Sequence, residues 1–158
     1  MFDGIDENVK KILKVSNALL NYPNLYKHPK MLYDANKDYE AIKAKNGELE
    51  QQYSLLPYEL GDQSKSDVRH PYTNAKFVRK YPEEFVRDLG RFKEDVDQID
   101  KKPLWDTQED LQNNEFGIQL GKEYINAPDV ILFDKVLEHS NLPIPLRNNT
   151  LYGYITND

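Results

Sequence analysis

The side chains of this chain best suited to acid–base or ligand chemistry lie between residues 67 and 121, in polar clusters set into apolar-periodic segments. The first is Asp67-Val68-Arg69-His70, followed by Asn74. Asp67 stands three residues before His70 and Asn74 four after, so all three share one face of a helix. A neutral imidazole steadied by a carboxylate serves as a general base or as a metal ligand. Arg69 beside it offers a cation to an anionic substrate or transition state. A plain structural role fits the same residues, with Asp67 capping the helix and Arg69 and His70 bonded to loop backbone. The other two histidines, His28 in a Pro-flanked turn and His139 beside a helix end, have no such company.

Two further groups belong to the same block. Lys93-Glu94-Asp95 closes a helix whose apolar positions include Leu89, Phe92 and Val96, which puts Glu94 at the border of the apolar stripe and able to face His70 across a helix pair. A solvated charge run at a helix end explains it as well. Asp110-Leu111-Gln112-Asn113-Asn114 then precedes Gly117 and Gly121. Asp and Asn compete with the backbone for hydrogen bonds and are poor helix-interior residues. Gly at four-residue spacing costs helix stability but lets a neighbouring helix or a ligand come close. Close packing with a polar network between helices accounts for Asp110, Asn113 and Asn114 as readily as a binding site does. His, Glu and Asp together are nitrogen and oxygen ligands for a divalent metal. No compact motif such as H-E-x-x-H is present, so the metal stays unknown. There is no G-x-S-x-G elbow, no Walker loop and no Cys, and the serines lie in no activating context.

The elements that must position these groups read as all-α: five to seven helices in one compact domain spanning 1–158, with an irregular C-terminal tail. Residues 5–21 make an amphipathic helix ending before Pro23. A second helix runs from about Asp34 to Tyr53 with a thin apolar stripe, and Gly47 predicts a break near Asn46-Gly47. These form an N-terminal helical part over 5–53. Ser54 to Ser66, with Pro57, Gly61 and the run Asp62-Gln63-Ser64-Lys65-Ser66, has loop composition. The core, 67–124, then holds three helices. Asp67 caps one, with Pro71 in its first turn. Glu83 to Val96 forms the next. Asp106-Thr107-Gln108-Glu109 is a capping box opening a third that continues to about Tyr124. A last helix starts at Pro128 and Asp129, and the tail over 139–158 holds at most a short strand at 151–155.

Composition narrows the function. At 158 residues one domain is expected. A net charge of −6 speaks against general nucleic-acid binding, which needs Lys and Arg to neutralise phosphates. Without cysteine there is neither disulfide nor thiolate metal site. No apolar run is long enough to span a membrane, and Met1-Phe2-Asp3-Gly4 does not open a signal peptide.

The order Arg69-His70, Asn74, Leu89-Gly90, Glu94-Asp95, Asp110-Leu111, Asn113-Asn114, Gly117, Gly121 resembles an uncharacterised helical family of bacterial secreted and polymorphic-toxin proteins, the DUF6973 type. Its pattern is R-H-x3-N, then H-E, then D-L-x-N-N-x2-G-x3-G, and the likeness covers about 55 of the 158 residues. Lys93 departs from it, since the family often carries a His before the Glu. A Lys ammonium repels a cation where a ligand must accept one. The resemblance implies an effector or toxin-like hydrolase domain made in a bacterial cytoplasm, then exported by a non-classical route or delivered into a target cell. A cognate immunity or carrier protein would be its partner. On that reading His70 is general base, oriented by Asp67 behind it, and Glu94 is the second acid/base or a metal ligand. Arg69 steadies an anionic phosphodiester or phospholipid, and Asn74, Asn113 and Asn114 hold substrate. Glu94 and Asp110 form an alternative carboxylate pair for cleaving cell-envelope glycan. A different class fits too. A non-catalytic interaction protein, an immunity protein or a phage or secretion-system component, would use its acidic, tyrosine-rich surface on a basic partner.

Overall fold

A computed structural model describes residues 3–52, 57–100 and 103–139, with side chains for 7–52, 68–100, 103–105 and 107–139. The described residues form seven helices and no strand: α1 (Asp3–Leu19), α2 (Pro23–Tyr26), α3 (Pro29–Gln52), α4 (Pro57–Val78), α5 (Glu83–Ile99), α6 (Leu104–Glu123) and α7 (Asp129–His139). The chain is all-α, as its apolar periodicity predicts. The tail beyond residue 139 and the strand expected at 151–155 lie outside the described residues.

α4 is the hub, packing on α3, α5, α6 and α7. Its Val68, Tyr72 and Ala75 are wholly buried, and the Tyr72 ring meets Phe133 of α7 edge-on at 5.8 Å. Leu25, Leu49, Phe85, Val86 and Ile118 complete the core from α2, α3, α5 and α6. Residues 57–66 are helical, contrary to their loop composition. Pro57 stands at the first helical position, where its missing N–H and fixed φ are harmless. Starting the helix there moves Asp67 from a cap into the interior, and Pro71 from a first turn to mid-helix. The carbonyl of residue 67 therefore has no amide at position 71 to bond.

Glycines fix how α4 meets α6. A Cβ at Gly117 would lie 2.8 Å from the Cα of Pro71, and one at Gly121 would lie 2.8 Å from the Cα of Ala75. Backbone therefore packs on backbone at both points. The pairs 71/117 and 75/121 ascend together, so the two helices run parallel, and their crossing sits at the proline that breaks the α4 ladder. Outside this contact, Arg87 of α5 grips Glu115 of α6 through two hydrogen bonds of 3.0 and 2.9 Å, and Lys122 reaches back to Glu83 at 2.8 Å.

Three other local expectations change. α3 does not break at Asn46-Gly47: Asn46 is buried and donates to Glu50 Oε1 at 2.6 Å, tying the next turn down. The N-cap of α6 is Pro103, which makes no side-chain cap bond, so Asp106 falls in the first turn instead of capping it. α1 is helical as its pattern predicts, yet Val9, Ile12 and Leu13 of its apolar stripe are 48, 64 and 57% exposed. Among the described residues α1 packs on α2 and α5 alone, so one edge of the stripe suffices for that packing.

Candidate active site

The parallel register of α4 and α6 brings the two polar clusters together. His70 lies opposite Asp110, and Asn74 one turn on lies opposite Asn114. The His70 Nδ1 is 3.9 Å from Asp110 Oδ1, a charge contact longer than a hydrogen bond. α5 supplies Glu94 from the third side, and one ligand atom each of His70, Glu94 and Asp110 lie within 4.8 Å of one another. Glu94 and Asp110 are only 2 and 1% exposed, while His70 is half-buried.

His70 also lines a cavity of about 860 Å³ between α3, α4 and α5, within the size range of small-molecule sites. Its walls are mostly apolar, with Leu32, Phe77, Val86, Leu89, Phe92 and Val96 around it. Arg69, Thr73, Asn74, Lys93 and Asn114 are among the polar groups on this surface, whereas Glu94 and Asp110 are buried and do not line the cavity. The arrangement is an imidazole facing open space, backed by two buried carboxylates.

The remaining candidates take more varied places. Asn74 donates Nδ2 to the His70 carbonyl at 2.8 Å and to Asn114 Oδ1 at 3.0 Å, which fastens the His70 turn to α6. Gly90 leaves room for Asn114, whose Nδ2 would be 2.7 Å from a Cβ at that position. Asn113 is buried on α6 and does not line the cavity. Arg69 is gripped by Glu50, its Nε and Nη2 donating at 2.8 and 3.0 Å to the two carboxylate oxygens. That hydrogen bonding holds the guanidinium firmly in its charged form, above its ordinary pKa. Lys93 is exposed, with Nζ 5.6 Å from the Tyr39 ring centroid. Adjacent helix positions point about 100° apart, so Lys93 and Glu94 face different surroundings. Position 67 is one turn before His70 on the same helix, as the spacing predicts.

The wall built by α3 was not foreseen. Glu50, buried and holding Arg69, and Tyr39, which faces the cavity, come from a helix with no motif in it. The available signal was Asn46 and Glu50, two polar residues one turn apart beside the apolar Leu49. His139 ends α7 stacked flat on Phe116 at 3.7 Å, a packing role.

In comparisons with known proteins, no family model, no curated protein and no solved structure matches this chain.

Proposed function

We propose that the chain is a hydrolase domain of the bacterial effector or toxin type, acting on an anionic ester of the phosphodiester or phospholipid class. The observation that carries this reading is the convergence of His70, Glu94 and Asp110 from three helices at a cavity that His70 itself lines. A polar network serving only to lock helices has no need of an open side. His70 takes a proton from the attacking water, and Asp110 beside Nδ1 favours the tautomer that leaves Nε2 to accept it. Lys93 on the cavity wall attracts the anionic group, while Arg69, already held by Glu50, positions the wall. The apolar lining suits an ester with an apolar portion, as in a phospholipid. A glycan is supported less well, because cleavage between Glu94 and Asp110 needs a sugar between them, and both are almost fully buried. The resemblance of the Arg69-to-Gly121 residues to toxin domains supports the same class.

The interaction-protein reading has one observation of its own: the outward apolar residues Val9, Ile12 and Leu13 of α1. One experiment separates the two. Wild type and His70→Ala are expressed in a bacterial host, directed in turn to cytoplasm and periplasm, with folding followed by circular dichroism. Growth arrest lost in the folded variant is the expected result. Absence of arrest in both compartments favours the interaction protein.

A further inference from the structure

Two carboxylates are buried side by side next to one imidazole. Glu94 and Asp110 are both at most 2% exposed, with oxygens within 4.8 Å of each other and of a His70 nitrogen. Like charges at that range in a low-dielectric setting oppose each other's ionisation, and a cation beside them removes the opposition. A divalent ion carries a charge opposite to both carboxylates and leaves the imidazole neutral, able to donate its lone pair. The same ion resolves a second conflict, since an anionic substrate approaching His70 otherwise meets two carboxylates of its own sign.

The donor chemistry agrees. One imidazole nitrogen and two carboxylate oxygens, in a chain without cysteine, give three protein ligands, the number that catalytic zinc sites use with one position left open, with more oxygen among them. The distances are close to what is needed. Three atoms no more than 4.8 Å apart share a point within about 2.8 Å of each (4.8 Å divided by √3), against ligand bonds of roughly 2.0–2.2 Å. Side-chain torsions on the order of 0.7 Å per ligand atom close that gap. The ligands stand on α4, α5 and α6, whose approach is fixed by the backbone contacts at Gly117 and Gly121 and by the fit of Asn114 against Gly90. His70 borders the cavity, so the ligand set adjoins that space although Glu94 and Asp110 do not line it. Lys93, the residue that argues against a cation from sequence, lines the same cavity but is exposed, with its Nζ over the Tyr39 ring, and it points about 100° away from Glu94 around α5.

We propose that His70, Glu94 and Asp110 bind one divalent transition-metal ion, Zn²⁺ or Mn²⁺, beside the cavity that His70 borders. The inference deepens the hydrolase reading and rests on the same three residues; with the ion bound, the lone pair of His70 would serve as a ligand, and the ion's lowering of the pKa of bound water would take the place of proton abstraction by the imidazole. Mixed nitrogen and oxygen ligation selects these ions over Mg²⁺ and Ca²⁺, which favour oxygen alone.

The test uses the tag-free full chain, stripped with chelator and titrated calorimetrically with ZnCl₂ and MnCl₂, with Mn²⁺ followed in parallel by electron paramagnetic resonance. One ion per chain is expected, with at least ten-fold weaker binding in His70→Ala and Asp110→Asn and little response to MgCl₂. His70 is half-buried at the cavity edge, so His70→Ala decides the matter if the buried Asp110 variant fails to fold. Absence of saturable binding in the wild type, or unchanged binding in folded His70→Ala, overturns the site. A chain that binds no metal yet arrests growth through His70 overturns the metal alone. A chain that binds one ion and is inert in both compartments keeps the metal and loses the hydrolase.

Discussion

Bordering the cavity does not by itself mark a residue that acts, since Arg69, Asn74 and Asn114 border it together with His70. Asn74 is a residue that holds, because its Nδ2 bonds run to protein, to the His70 carbonyl and to Asn114. Asn74→Ala removes a buried donor and leaves Asn114 Oδ1 without it, a loss of about 1–3 kcal/mol in urea denaturation. The same variant retains measurable metal affinity, since no ligand is lost; abolished binding would make Asn74 part of the site. Arg69 is likewise held, and Glu50→Ala leaves its guanidinium beside an emptied wall. A cost of about 1–2 kcal/mol is expected, moderated because Arg69 is partly in water, and thermal denaturation reads it directly. At this scale the sequence was informative where residue type conflicts with setting. Asp110, Asn113 and Asn114 are poorly suited to a helix interior, and that mismatch marks them. Glu50 carried only a faint mark, Asn46 one turn before it and Leu49 beside it, because a Glu in a charged helix looks solvated until the fold places Arg69 over it.

At the scale of elements, the crossing of α4 and α6 sets the geometry of everything else. Gly117→Ala puts a methyl carbon 2.8 Å from the Cα of Pro71, where only backbone movement makes room. Ala gains up to about 1 kcal/mol over Gly in helix propensity, but overpacking costs about 1–3 kcal/mol or more, so net destabilisation is expected. The displaced crossing also weakens metal binding, and a variant as stable and as tight as wild type would show that the crossing is not what positions the ligands. The glycine spacing was legible because two glycines one turn apart in a helix need a reason. The start of α4 was not. Gly61 and the polar run after it have loop composition, yet the helix runs through them without a break, a local preference overridden by the helix they belong to. Taking Asp67 for the cap followed from the same local signal.

Over the whole molecule, charge pairs tie the helices together outside the core. A hydrogen bond from Arg87 holds the Glu115 carboxyl below its ordinary value of 4.5, and bonds from Lys80 and Tyr81 hold Asp38 below 3.8. Carboxyls depressed in the folded state contribute stability above their ordinary values and lose it as pH falls through the folded ones. The melting temperature is therefore expected to hold from neutrality down to about pH 5 and then to fall, less steeply in Glu115→Gln than in wild type. The helical class was readable from periodicity, whereas the cavity was not, since it arises from α3, α4 and α5 meeting and no single segment encodes it. The central claim is that Glu94 and Asp110 are kept for chemistry at a cost to the fold. The melting temperature of metal-stripped Glu94→Gln tests it most directly, because a neutral isostere removes the like-charge opposition and keeps the shape. The account predicts a melting temperature equal to wild type or higher, by roughly 2–4 °C for each kcal/mol relieved. A fall of several degrees would contradict it and make the buried carboxylates part of what holds the helices together.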